Sequence, residues 1–356
     1  MKRFRITALI SLIILGGCNQ HSYRDIWPEV ESINIGETKS AVFSPEIIEQ
    51  SRELIHAHHF YIISDSILVT VNKPSTEQKV VLVSNLRSKE TIAECLQYGN
   101  GPNEVLVVTD FLLGNTLYIN DVAKKKLLSI DINTLVNRGK NQQEIDVFDY
   151  QFYGSTPFVI PFDDNSVLCE NPYCFSDRQL KITNGAVNRF DRLSSNTSVD
   201  NKHYRFNTFN VSQGLLVPIR KNNLVFYASL FQPRIELYDT LGVRRKLFLG
   251  PTELPIEYII DHEDDRILFK NKIPYAFLGF CVTANHVFFN YIGSYLEDGY
   301  EKMHSTIMKF DMDGNFMEAF VLPKYVSSFT VVNDSLIYGK GYDQQGESVL
   351  WKFSAD

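Results

Sequence analysis

One short pattern recurs in this chain almost residue for residue, and that recurrence limits what it can fold into. Arg234-Ile235-Glu236-Leu237-Tyr238-Asp239 alternates polar and apolar residues, breaks at Thr240-Leu241-Gly242, and alternates again to Leu249. Ile307 to Phe320 has the same order, with Asp311-Met312-Asp313-Gly314 at its break. Two runs of period two around a turn predict adjacent antiparallel strands, each with one buried face. A hairpin cannot cover its own apolar face, so recurring hairpins must cover one another.

A second pattern supplies the period. A polar turn precedes a short apolar strand at Ser64-Asp65-Ser66-Ile67, Gly114-Asn115-Thr116-Leu117, Asp164-Asn165-Ser166-Val167, Lys221-Asn222-Asn223-Leu224, Ala284-Asn285-His286-Val287 and Asn333-Asp334-Ser335-Leu336. The first apolar positions lie 50, 50, 57, 63 and 49 residues apart. Asn and Asp suit such turns because they tolerate left-handed backbone and bond to nearby amides. Strand–turn–strand units follow each copy, near Lys79, Lys124, Arg178, Arg234 and Ser305; the sixth, Val349 to Phe353, meets the chain end without a partner strand. With 18 Tyr and 25 Phe favouring pleated surfaces, the expected class is all-β. A unit of about 50 residues and four strands predicts a six-bladed β-propeller with four-stranded antiparallel blades over residues 55–356. Ring closure then needs an outer strand from residues 32–55. Glu257 to Ile260 and Arg266 to Phe269 read as the first strand of the fifth blade plus an insertion, with a degenerate seventh blade as the alternative.

The first residues have a different character. Lys2, Arg3 and Arg5 precede the apolar run Ile6 to Leu15, too short for a comfortable membrane span, and Leu15-Gly16-Gly17-Cys18 follows. This resembles a bacterial lipoprotein signal, in which the cysteine is acylated and becomes the mature N-terminus. An ordinary secretion signal with an incidental cysteine is the alternative. The resemblance implies a signal peptide at 1–17, a lipid on Cys18, and a tether and N-terminal segment at 18–54. It also implies a lipid-anchored envelope location, at the outer membrane. Without residues 1–17 the chain keeps 32 basic against 42 acidic residues, a net charge of −10. That balance, with no basic stripe, argues against a nucleic-acid partner.

Tyr98-Gly99-Asn100-Gly101-Pro102-Asn103-Glu104 carries a more specific likeness. With the N-terminal signal and the period, it resembles the six-bladed TolB-like propeller lipoproteins of Bacteroidota, many of which place Gly-x-Gly-Pro-x-Glu between their first two blades. That resemblance implies the fold and brings no catalytic residue. Physically the segment reads as a rigid corner, with Glu104 accepting backbone hydrogen bonds. A share in a mouth-facing surface is the alternative.

Chemistry is harder to find. His56 and His58 would share a face on a strand and, with His59, are spaced to seat a metal, yet no acidic partner is identifiable. Packing and surface polarity are therefore preferred, and no metal or cofactor is expected. Asp311-x-Asp313-Gly314 reads as a β-turn rather than a calcium loop, and His262 to Asp265 as a solvated acidic loop. Cys169 and Cys174 flank a turn and are spaced to pair, whereas Cys95 and Cys281 read as buried thiols. Neither Gly-x-Ser-x-Gly nor His-Glu-x-x-His occurs.

Aromatic residues in loops are the remaining candidates. Tyr150, Tyr153, Tyr173, Tyr291, Tyr295 and Tyr300 stand near turns, and Tyr295, Tyr300, Tyr173 and Tyr153 are assigned to ligand contact. The chain thus reads as a membrane-anchored binding or scaffold module for a glycan or envelope protein, rather than an enzyme. A metal-assisted carbohydrate hydrolase or lyase, or a purely structural envelope protein, are the alternatives. If Cys18 is the acylated residue, cells fed labelled palmitate should label the wild-type chain and not Cys18→Ala, which should leave the membrane fraction. Equal labelling of the two would refute the assignment.

Overall fold

The computed structural model describes residues 30–32, 43–49, 57–74, 79–101, 104–138, 145–150, 159–163, 166–170, 179–183, 186–189, 213–252, 254, 258–261, 266–269, 272–343 and 345–355. Each copy of the polar-turn pattern falls between the first and second strands of a blade. The first blade is Ala57–Ile63, Ile67–Asn72, Lys79–Asn85 and Thr91–Tyr98. The second is Val108–Leu113, Thr116–Asp121, Lys126–Asp131 and Asp146–Asp149. Val159–Asp163, Ser166–Glu170, Gln179–Thr183 and Ala186–Arg189 make the third. Gly214–Ile219, Leu224–Ser229, Arg234–Asp239 and Arg244–Leu249 make the fourth. Pro274–Val282, His286–Tyr295, Thr306–Asp311 and Phe316–Val321 form the fifth. The sixth takes Ser328–Val332, Leu336–Tyr342 and Ser348–Ala355 from the C-terminus and its outer strand, Phe43–Glu49, from the N-terminal side. The architecture is a six-bladed β-propeller.

The turns explain why these residues fold this way. Ser64 and Asp65, and likewise Asn333 and Asp334, hold positive φ between 52° and 59°, which gives the tight hairpins their twist. A second device recurs at later turns, where an Asp side chain caps the loop. Asp239 Oδ1 accepts from the backbone of Leu241 and Val243, both at 2.9 Å. Asp311 Oδ1 accepts from Asp313 and Asn315, and Asp343 Oδ1 from Gln345 and Glu347. Gly242 and Gly314, both at φ 75°, supply the left-handed residue that each turn requires. Asp311-x-Asp313-Gly314 is therefore a turn.

The corner between the first two blades is held from inside. Glu104 Oε2 accepts from Gly101 N at 2.6 Å, and Lys124 Nζ donates to the carbonyls of Gly99, Gly101 and Glu104 at 3.0, 3.0 and 2.6 Å. A Cβ on Gly99 would stand 2.1 Å from that carboxylate.

One strand assignment is corrected. Tyr258–Asp261 and Arg266–Phe269 pair only with each other among the described residues, and the fifth blade begins at Pro274. Local alternation reports that a strand has two faces; it does not report which sheet the strand joins. Cys174 lies outside the described residues. Cys95 is fully buried, and burial pushes its thiol up to about 12.

Packing between blades makes the core. Phe226, Phe248, Phe289 and Phe310, from the fourth and fifth blades, are fully buried together. Phe310 has ring neighbours Phe248 at 5.2 Å, Phe226 at 5.3 Å and Phe289 at 5.8 Å. At the closure, Phe43 packs edge-on against Phe320 at 5.5 Å, so the N-terminal strand touches both the sixth and fifth blades. Val30–Ser32 adds in parallel to Arg244–Leu249 and covers the outer edge of the fourth blade. Phe310→Ala should cost about 3–5 kcal/mol in denaturant unfolding, with an unchanged slope. Leu241→Ala, at a residue 82% exposed, should stay within about 0.5 kcal/mol. Equal costs at the two positions would contradict inter-blade packing as the source of stability.

Candidate functional site

The first strand of each blade faces the axis, so side chains from distant parts of the sequence meet there. In the first blade, Ala57 pairs with Asn72 and His59 with Val71, leaving His58 as an extra residue in a β-bulge. Adjacent residues on a regular strand point to opposite faces, and the bulge cancels that alternation. The rings of His58 and His59 consequently lie together, 4.2 Å between centroids.

Asp110 completes the group from the inner strand of the second blade. Its carboxylate is fully buried; Oδ2 lies 3.0 Å from His59 Nδ1 and 3.7 Å from His58 Nδ1. Tyr61 donates its hydroxyl to Oδ1 at 2.7 Å. The three potential ligand atoms all fall within 4.8 Å of one another. A tetrahedral ion with bonds of ~2.0–2.1 Å has ligand–ligand edges of about 3.3 Å. The two nitrogen–oxygen separations lie near that value, and an ion seated there would replace the proton now shared by His59 Nδ1 and Asp110 Oδ2. Three protein ligands also leave a position open, as in catalytic sites rather than structural ones.

Charge follows the geometry. Burial works against the Asp110 carboxylate, but the His59 charge and the hydrogen bonds from His59 and Tyr61 outweigh it and hold it well below the usual carboxylate range. Burial also opposes the His59 imidazolium, yet the Asp110 charge and hydrogen bond prevail and raise it. Burial and then Asp110 push the Tyr61 phenol far up, so it remains a donor. Lys340, from the sixth blade, donates to Ala57 O at 2.6 Å, and burial with the Lys73 charge pushes it down to about 8.

The axis is divided into two halves. Towards the ends of the inner strands, Leu113 of the second blade pairs with Val282 of the opposite, fifth blade, and Phe111 faces Phe280 at 6.3 Å. That apolar contact bridges the axis. Beside His58, between the first blade and its connection to the second, lies a cavity of about 200 Å³ lined by Asn72, Lys73, Tyr98 and Leu106.

The assigned contact residues do not converge on this centre. Tyr153 and Tyr173, like Cys18 and His56, lie outside the described residues. Tyr295 is half-buried with Lys272 Nζ 5.4 Å above its ring. Tyr300 lines a separate groove between the fifth and sixth blades. Tyr150 and Tyr291 are core instead: Tyr150 donates to Asn120 Oδ1 at 2.6 Å, and Tyr291 is buried against Phe277.

The TolB-like 6-blade propeller-like family matches residues 51–334. The chain belongs to that family. Solved structures with the TolB-like chain's fold include a duf4221-family protein from Bacteroides vulgatus, at 9% identity and TM-score 0.51, over 89% of this chain and 98% of that one. A protein from Bacteroides fragilis described as exported matches at 12% and 0.50, over 92% and 99%. Virginiamycin B lyase from Staphylococcus aureus follows at 11% and 0.43, over 88% and 99%. The two Bacteroides likenesses, at such identities, show the shared fold alone. No curated protein matches the sequence.

The expectation that this TolB-like chain is not an enzyme is overturned by the His58–His59–Asp110 cluster. That expectation rested on the missing hydrolase motifs, and the expectation of no metal on the missing acidic partner; Asp110 is that partner, 51 positions along from His59. One sequence signal pointed to it: Asp110 is the one charged residue in the largely apolar run Val107 to Leu113.

In the metal-free protein the raised His59 contributes stability that is complete below about pH 6.5 and is lost as pH climbs through its folded value. Asp110→Asn removes the charge and leaves the burial. His59 should then titrate below about 6.5 in an NMR pH series, whereas a value still above that would assign the shift to another group.

Proposed function

We propose that this TolB-like propeller is a metal-assisted hydrolase or lyase acting on carbohydrate, held in the cell envelope by a lipid on Cys18. The observation that carries the reading is the convergence of His58, His59 and Asp110 from the inner strands of the first two blades. Two imidazoles and one carboxylate are a donor set for zinc or a similar divalent ion. Bound there, such an ion supplies Lewis acidity at neutral pH.

The chain's own residues fit supporting tasks. Tyr61 fixes the Asp110 carboxylate through Oδ1 and leaves Oδ2 turned to the histidines. Lys340, tied to the carbonyl just before His58, places a cation of depressed pKa behind the bulge. The cavity beside His58, at about 200 Å³, is below the ~300–1,000 Å³ of pockets that swallow a whole ligand. It suits one end of a longer molecule. Its lining of Tyr98 and Lys73 combines an aromatic ring with an amine, chemistry that suits a sugar ring. The N-terminal signal supports placement outside the cytoplasm, where the extracellular polysaccharides such an enzyme would meet are found.

Chelator-treated, tag-free protein should take up about one equivalent of Zn²⁺ or Mn²⁺ in calorimetry. At a hundred times Kd, the ion should add about 2.7 kcal/mol of stability. His59→Ala and Asp110→Asn should each weaken uptake about 100-fold or more. Uptake that is absent, or indifferent to both substitutions, would remove the basis of the reading.

A further inference from the structure

We infer a second site on this molecule: the groove between the fifth and sixth blades is a binding surface for a neutral oligosaccharide. The groove has a volume of about 1250 Å³, beyond the ~300–1,000 Å³ of ordinary small-molecule pockets, and it is open along its length. That size calls for an extended ligand.

Three tyrosines and a tryptophan build it. Tyr300 lies 5.1 Å from Tyr325 and 5.5 Å from Tyr342, with the planes tilted by only 30° and 32°. Tyr325 is buried, whereas Tyr300 and Tyr342 are 49% and 42% exposed. Tyr300 thus stands between the other two rings, and it and Tyr342 keep much of their surface in solvent. Leaving that much aromatic surface wet is unfavourable unless something covers it. Trp351 lines the same groove, with Lys324 Nζ 5.6 Å from its ring and its buried indole N–H lacking a hydrogen-bond partner.

The polar rim selects among extended ligands. Asp298, Glu301 and Asp343 stand with Lys302, Lys324 and His304 around the rings. Neither sign dominates, so a polyanion such as nucleic acid or a polyuronate gains nothing there. Carboxylates and amines alternating around flat apolar faces match a ligand whose rings carry apolar C–H faces and hydroxyl edges. A neutral oligosaccharide has that chemistry.

The position is informative too. Strand Leu336–Tyr342 of the sixth blade carries Tyr342 in the groove and Lys340 at Ala57 O, beside the histidines. The fifth and sixth blades' turns that form the groove lie on the same face as the starts of the inner strands, where the His58 cavity opens. The groove inference does not depend on metal chemistry at the axis.

The test uses the full tag-free chain and calorimetry with neutral gluco-, manno-, galacto- and xylo-hexaoses, an oligogalacturonate, and a proline-rich decapeptide. At least one neutral hexaose should bind. Tyr300→Ala and Tyr342→Ala should each weaken it about tenfold or more. Tyr300→Phe and His59→Ala should leave it within about twofold, since the ring is retained in one and the axis altered in the other. Binding of none of the neutral hexaoses would overturn the inference. So would affinity indifferent to both Tyr→Ala changes, or capture of only the acidic oligomer or the peptide. Intact hexaose binding with no metal uptake would sink the catalytic reading and leave this one standing.

Discussion

Each blade is a small twisted sheet with two apolar faces, and neither face can be left in water. The ring of six solves this by setting blade against blade, so that Phe226 and Phe248 of the fourth cover Phe289 and Phe310 of the fifth. Everything else in the molecule follows from that radial packing. It forces the inner strands to converge on an axis, it sends the turns to two opposite faces, and it leaves a seam where the two ends of the chain must meet. Phe43–Glu49, antiparallel to Ser348–Ala355, closes the seam and commits the N-terminal segment to the sixth blade.

Convergence at the axis has two outcomes here. Apolar side chains at one end fuse opposite blades, through Leu113 with Val282 and Phe111 beside Phe280. At the other end a carboxylate, Asp110, is buried on a strand that could have been wholly apolar. An isolated buried carboxylate is costly, and it is tolerated only when hydrogen-bonded and paired. His59, Tyr61 and the bulged His58 meet that requirement. The same cluster can seat a divalent ion once His59 gives up the proton it shares with Asp110, because the freed imidazole nitrogen and the carboxylate oxygen are then lone-pair donors.

The rim is built by different rules. There the turns are capped by their own Asp side chains, as at Asp239, Asp311 and Asp343, which frees longer connections to carry other residues. The connection through Tyr300 uses that freedom, standing away from the fifth blade until its ring meets Tyr325 and Tyr342 of neighbouring segments.

Much of this was legible in the chain itself. Strand alternation and turn chemistry are local, so residues such as Arg234 to Leu249 and the Asn- and Asp-rich turns declared the blade, its period and the count of six. What escaped were facts that depend on where a segment is placed. The hairpin through Tyr258 and Phe269 has the right alternation and, among the described residues, joins no blade. Tyr150 and Tyr291 sit near turns and are nonetheless core. His56 and His58 promised a shared face by simple alternation, and a one-residue bulge paired His58 with His59 instead. Asp110 stands a whole blade away from them, and only the packing of the second blade against the first brings it within 3.0 Å of His59. The sequence by itself determined the sheets, because hydrogen-bonded period-two strands are written over a few residues. Tertiary structure alone decided the site, because contacts between blades are set by the curvature of the whole ring, which no single stretch encodes.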